Sequence, residues 1–397
     1  MKKAIIGIIF LVFILSACAN SNETKPINPT SAQSSNTSDA SVDTTSLSGF
    51  SWDSFNIETD DPVFMSGYHQ IAVCAKGYYF IYSDILYFRD KSSEQCVPVC
   101  AKPDCTHEND DLKTCNAYFN NSTFYSNRGV YYYDSNLYML GNDGKGEFGN
   151  GEGLYLYKIS MDGTHREMLF NLADFASSLS DLKLNFTVHR GKGYISYSEE
   201  TKSSLVSFDI DDKNLNMTEV DVLEGTAPEF YRLKGYGNYL VYQFFYYEDK
   251  NLEKFCGGIK VYDGANHQIL IKDAIKTYCI TDSKVYYETT KGIKIYDIKT
   301  GTTSDLKTEN NAYAINCDGK YFYTYDNNSD DNFVVYVYEK SGEMIDEIKT
   351  PESCFDLIFG DEELFFADYM FFKKADIGTG NVQWQDICDK YYNTESE

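Results

Sequence analysis

Few of the residues on which enzyme motifs are built occur in this chain: of 397 residues only five are histidine, two are tryptophan and seven are proline. His69, His165, His189 and His267 stand far apart, with no cysteine or acid partner at motif spacing. No Gly-x-Ser-x-Gly elbow, no His-Glu-x-x-His helix and no phosphate-loop lysine is present, so the linear signatures of serine hydrolases, zinc peptidases and nucleotidases are missing. The glycine-rich GNDGKGEFGNGEG from Gly141 lacks the Lys-Ser/Thr end that cradles phosphate and reads as a long hairpin loop. The acidic loop DNNSDDN from Asp326 misses the EF-type calcium spacing and reads as a solvated turn. Positive charge is also short. Thirty-five Lys and Arg face sixty Asp and Glu, a net charge of −25, which repels phosphate backbones and anionic lipid surfaces and excludes nucleic acid as a partner. Helical periodicity is nearly absent, and its longest candidate, 172–184, has no clean apolar stripe. Without β-α-β alternation the chain does not read as a transporter's solute receptor.

Long hydrophobic runs are absent too, apart from one at the start. MKKAIIGIIFLVFILSAC places Lys2 and Lys3 before an apolar run from Ala4 to Leu15, which is too short for an ordinary spanning helix and has the form of an export signal. Leu15-Ser16-Ala17-Cys18 resembles a bacterial lipobox, and the resemblance implies that Cys18 is lipidated and begins the mature protein. The following Ser, Thr and Asn-rich stretch has no aromatic side chain before Phe50. It cannot bury a core and serves as a flexible tether about 30 Å long on average. The expected organisation is a signal peptide at 1–17, a lipidated cysteine and tether at 18–49, and a folded domain at 50–392.

What is abundant is the aromatic side chain: thirty-five tyrosines and twenty-six phenylalanines. They recur as a turn residue followed by an aromatic strand, in KGYYFIY from Lys76, RGVYYYD from Arg128, KGYISYS from Lys192, GNYLVYQ from Gly237, SKVYYET from Ser283, GKYFYTY from Gly319 and EELFFAD from Glu362. Each is followed by a partner strand, such as ILYFRDK from Ile85 or IKIYDIK from Ile293, and several partners run through a small polar turn into a further strand, as in MDGTHREMLF from Met161. Short strands such as HQIAVCA from His69 and TYCITD from Thr277 precede them. Four antiparallel strands per unit, repeated seven times, predict an all-β, seven-bladed β-propeller, with six or eight blades as alternative counts. Such blades stack through aromatic faces.

Three stretches resemble known families. LYLYKISMDGTHREML resembles the blades of bacterial lipoprotein propellers grouped with TolB-like and low-density-lipoprotein-receptor-like repeats. ADIGTGNVQW from Ala375 resembles a blade end of PQQ-like propellers, with Asp376, Thr379, Gly380 and Trp384 in matching places. Only this blade carries the tryptophan, so the likeness supports a propeller and not a quinone cofactor. CAKPDCTHENDDLKTCNAYF resembles a segment of surface lipoproteins of anaerobic, clostridial-type Gram-positive bacteria, of the form C-x-K-P-D-C-x-H followed by C-N-A-Y. That resemblance implies a compartment and no activity.

The densest chemistry is CVPVCAKPDCTHENDDLKTC, where Cys96, Cys100, Cys105, His107 and Cys115 lie within twenty positions. Between the first and second units, three readings stand side by side. Disulfides suit an exported chain, and a Cys96–Cys115 bridge would be worth about 3 kcal/mol by chain entropy. A structural zinc site suits a Cys/Cys/Cys/His set, with Glu108, Asp110 and Asp111 favouring a cation. A redox or nucleophilic cysteine is the third. Cys74, Cys279, Cys317 and Cys354 read as buried, inert thiols of first strands, while Cys256 and Cys388 have no assigned place.

The combined expectation is a lipoprotein held at the extracytoplasmic face of the cell membrane of a Gram-positive bacterium. Its propeller would be a non-enzymatic binding or scaffolding module for a protein or glycan. No residue is assigned a catalytic role. The alternative is an enzyme acting on carbohydrate or cell wall, with carboxylates from different blades converging on the axis.

Overall fold

The computed structural model describes residues 71–387 except 83, 120–128, 143–153, 172–183, 213–214, 309–312, 329–331, 351–356, 360 and 367–369. The signal peptide, Cys18, the tether, His69, Cys354 and Cys388 lie outside the described residues. Among the described residues no helix is long and apolar enough to cross a membrane.

The described chain forms seven four-stranded antiparallel sheets, each with its strands in sequence order. They span 71–98, 130–171, 185–224, 226–272, 275–305, 313–349 and 357–386. Burial falls from the first strand to the fourth. In the fifth sheet, Ile275–Thr281 is exposed only at Lys276, whereas all of Thr302–Asp305 is exposed. First strands of successive sheets pack on one another: Ile71–Cys74 on Val130–Tyr133, that strand on Asn185–His189, and that one on Thr226–Tyr236. The first strands therefore line the middle of the assembly. In Ile71–Cys74 every residue is apolar and buried, whereas other first strands also bury polar groups such as Thr187, Lys234, Thr277 and Asn316. Cys74, Cys279 and Cys317 sit in such strands and are buried, as the sequence predicts.

Two-residue turns set the register. Tyr133 pairs with Asn136, His189 with Lys192, and Thr281 with Lys284. The residues between them, Asp134-Ser135, Arg190-Gly191 and Asp282-Ser283, all have positive φ. That conformation matches the twist of a tight hairpin. It also corrects the reading of the second unit. There the tyrosine run after Arg128 is the first strand, not the second, because the chain reverses at Asp134-Ser135 into Asn136–Asn142, which in turn pairs with Leu154–Ser160.

Polar groups bridge neighbouring sheets all the way round. The Tyr78 hydroxyl donates to Asp361 of the seventh sheet at 2.6 Å, and the Tyr79 hydroxyl to the Met161 carbonyl of the second at 3.2 Å. Tyr131 reaches the Phe186 carbonyl of the third sheet, and Asn185 the Phe230 carbonyl of the fourth at 3.0 Å. Tyr278 of the fifth sheet donates to the Arg232 carbonyl at 2.7 Å, and Lys340 of the sixth pairs with Asp282. Trp384 of the seventh donates its indole N–H to the Lys349 carbonyl at 2.8 Å, while its ring meets Phe372 edge-on at 5.0 Å. Burying these amphipathic side chains removes apolar area from water without leaving the hydroxyl unpaired.

Among the described residues the first and seventh sheets share no strand. Their seam is held by side chains far apart in sequence. Arg89 donates to Glu363 at 2.6 Å and lies 4.3 Å over the Phe371 ring, and Lys91 pairs with Asp361. A cavity of ≈ 500 Å³ opens there, lined by Lys91, Glu94, Asp318, Asp361, Glu363 and Lys374 among others.

Candidate metal centre

The cysteine-rich segment is an excursion from the outer edge of the first sheet. Cys96–Pro98 pairs with Tyr87, Phe88 and Arg89. After the Val99 N–H bonds to the Leu86 carbonyl at 2.9 Å, the chain leaves the sheet. It returns to the same edge at Ala117–Phe119: the Leu86 N–H donates to the Ala117 carbonyl and the Phe119 N–H to the Asp84 carbonyl, both at 2.8 Å. The sequence placed 105–115 in the passage to the next unit. In the structure the segment lies in that passage, between Cys96–Pro98 and Val130–Tyr133, as a loop closed at its neck.

Within the loop, one ligand atom from each of Cys100, Cys105, His107 and Cys115 lies within 4.8 Å of all the others. His107 Nδ1 stands 3.3 Å from Cys105 Sγ and 3.4 Å from Cys115 Sγ. Cys96 does not belong to this group. It sits on a paired strand opposite Arg89.

Local structure explains how the four side chains converge. His107 takes a left-handed backbone, φ 60°, which folds the ring back toward Cys105. Asp111, in the short 3-10 turn Asn109–Thr114, accepts from the Thr106 N–H at 3.0 Å and from its hydroxyl at 2.8 Å. These bonds hold its carboxyl below the usual range. The acid thus ties the loop backbone and is not itself in the group. Cys115 is buried beneath, its N–H bonded to the Leu112 carbonyl at 3.2 Å.

Electrostatics favour a soft cation. Burial raises the Cys100 thiol, but the N–H groups of Lys102 and Asn116 and the neighbouring thiols of Cys115 and Cys105 outweigh it, and the net shift is downward. Burial pushes the Cys115 thiol up to about 12, with the neighbouring thiols of Cys105 and Cys100 adding to the rise. Burial also lowers His107 against the pull of Asp111, which favours the neutral imidazole that binds metals. The group can hold a metal ion.

No protein-family model matches the chain, and no curated protein matches it. Among solved structures it is similar to a puromycin hydrolase S511A mutant complexed with PGG, with TM-score 0.52 and 12% identity over 80% of this chain and 53% of that one. It is also similar to prolyl endopeptidases, with TM-score 0.50 and 10% identity over 82% of this chain and 48% of that one. The fold is a β-propeller. This propeller spans about half the length of those two proteins, and at such identities the likeness is one of fold alone. TolB from Acinetobacter baumannii is a further neighbour, with TM-score 0.38 and 12% identity over 74% of this chain and 63% of that one.

Among the described residues the remaining histidines do not gather into a site. His189 is buried, with Nε2 2.6 Å from the Gly237 carbonyl, and His267 Nε2 lies 3.6 Å from Asp221. The seam cavity is the feature that sequence reasoning missed, because its side chains come from three sheets. Its buried carboxylates are engaged by cations: Asp318 by Lys374 at 2.9 Å, Asp361 by Lys91, and Glu363 by Arg89.

Proposed function

We propose that this chain is a lipid-anchored, extracytoplasmic lipoprotein whose propeller, with one blade for each of its seven sheets, is a non-enzymatic binding or scaffolding module for a protein or glycan. The observation that supports a scaffold most is the cavity, where the buried carboxylates are held in ion pairs and none is left to act on a substrate. The same cavity is what favours the second reading, an enzyme of carbohydrate or cell-wall chemistry, since acids of the sixth and seventh sheets and Glu94 of the first meet there. Lipidation is tested by Cys18→Ser. The wild-type protein should incorporate labelled fatty acid and fractionate with membranes, and the variant should do neither; a membrane-bound variant would defeat the anchor. For binding, a glycan array and cross-linking on intact cells should give a saturable partner, whereas turnover of cell-wall fragments that is abolished by Asp361→Asn would move the reading to the enzyme.

Within this module the ion is zinc, and its role is structural. A tetrahedral zinc with Zn–S near 2.3 Å and Zn–N near 2.0 Å separates sulfur from nitrogen by about 3.5 Å, close to the 3.3 and 3.4 Å found at His107. A disulfide would consume two of the three sulfurs and leave the imidazole without a role. Metal analysis with native mass measurement and thiol counting should find one zinc per chain. Three reactive thiols and no metal, or a 2 Da mass deficit, would reject it.

A further inference from the structure

The geometry points to Gly163 and Asn116 as positioning residues of the metal centre, coupling metal binding to the docking of the second sheet on the first; this rests on the zinc reading above. Gly163 belongs to the turn that leads into the outer strand Arg166–Asn171 of the second sheet, and none of the four ligands is on that sheet. Its carbonyl nevertheless accepts from the Asn116 side chain at 2.7 Å and from the Ala101 N–H at 3.4 Å. Asn116 follows Cys115, and its own N–H donates to the sulfur of Cys100. Ala101 follows Cys100. One carbonyl of the neighbouring sheet is thus grasped by the residues next to two ligands.

The fit is steric as well. A Cβ on Gly163 would lie 2.4 Å from the Val99 carbonyl oxygen and 2.6 Å from the Cys100 nitrogen, and its φ of 69° is one that side chains rarely adopt. The turn is built to keep its shape, with Asp162 accepting from the Thr164 N–H at 3.0 Å and hydroxyl at 2.7 Å. The Tyr79 hydroxyl holds the adjacent Met161 carbonyl from the first sheet. The loop is therefore gripped by a preformed turn, and whatever orders the loop orders the contact. Coupling of this kind is reciprocal: if docking on Gly163 positions Cys100, binding at Cys100 must strengthen docking by the same factor.

The test uses the full-length protein in detergent, with zinc affinity read by competition against a chromogenic chelator and site geometry by the thiolate charge-transfer absorption of the cobalt(II) form. Gly163→Ala and Asn116→Ala should each weaken zinc by about 10- to 100-fold, the range for residues that orient ligands without touching the metal. Gly301→Ala is the control, having the same backbone strain, φ 68°, in the corresponding turn of the fifth sheet; it should leave affinity unchanged. In the wild-type protein, chelation should speed amide exchange across 160–166. Equal zinc affinity in both variants and the wild type, with exchange at 160–166 indifferent to metal, overturns the coupling and leaves the zinc site standing. A wild-type protein that takes up neither zinc nor cobalt overturns the zinc reading itself. Should Gly163→Ala fail to fold, Asn116→Ala and the wild-type exchange measurement decide.

Discussion

On one flank the first sheet meets the second through the cysteine loop and the Gly163 turn; on the other it meets the seventh through Arg89–Glu363 and Lys91–Asp361. The first junction is held by a loop in which Cys100, Cys105, His107 and Cys115 come together, and on the zinc reading proposed above its grip depends on the ion. The second is held by hard charges facing each other across a seam that has no shared strand among the described residues. The contrast lies in what each loses when perturbed. A metal loop fails as a unit when its ion leaves, since ion and fold are bound together. An ion-pair seam fails pair by pair, and the cost depends on how far each charge is removed from water.

Experiments that separate the two flanks can be ranked by size. Replacing Cys115 with Ala takes away the buried ligand, and the loss of zinc should lower the melting temperature more than any single seam substitution and raise exchange throughout 99–119. Next comes Glu363→Ala, which strands Arg89 at 2% exposure without its partner; uncompensated buried charges of this kind cost about 3–5 kcal/mol. Urea unfolding should register that drop, and Glu363→Gln should recover part of it. Acid acts on the same seam. Burial raises Asp361, but its bonds from Lys91 and Tyr78 more than offset this, and Asp318 is likewise lowered on balance by Lys374 and its hydrogen bonds. Both bind protons less readily folded than unfolded, so their contribution is complete above about pH 4 and is lost as the pH falls through their folded values. Glu363, raised by burial, works in the opposite sense and blunts the loss. Chelated protein should therefore lose stability as the pH falls below about 4, and a flat profile would remove the seam's acid sensitivity. The smallest effect belongs to Lys373→Ala, whose pair with Glu94 at 3.0 Å is about half exposed; the change should stay below about 1 kcal/mol.

How much of this was legible in the sequence depended on whether the determinant was local. Alternation and turn residues are local, so the four-strand unit could be read in most sheets. It failed in the second, where the reversal at Asp134-Ser135 uses no glycine and sits inside a tyrosine-rich run. The cluster of Cys100, Cys105, His107 and Cys115 was legible because its members fall within sixteen residues. Cys96, close to them in sequence, lies on a paired strand and outside that group. Gly163 carried only the weak signal of a glycine after aspartate in a turn, and nothing in that turn names the loop it supports. Arg89 and Glu363, 274 residues apart, left no trace at all.

Because each sheet is one uninterrupted span of sequence, the molecule can assemble in order along the chain, each sheet forming from near neighbours before the next is complete. Joining the first sheet to the last is then the one step that must wait for the whole length. Long-range closure of this kind is slow, and contacts made only at that step affect escape more than entry. Weakening Glu363 should accordingly quicken unfolding in stopped-flow traces while leaving the refolding limb almost where it was.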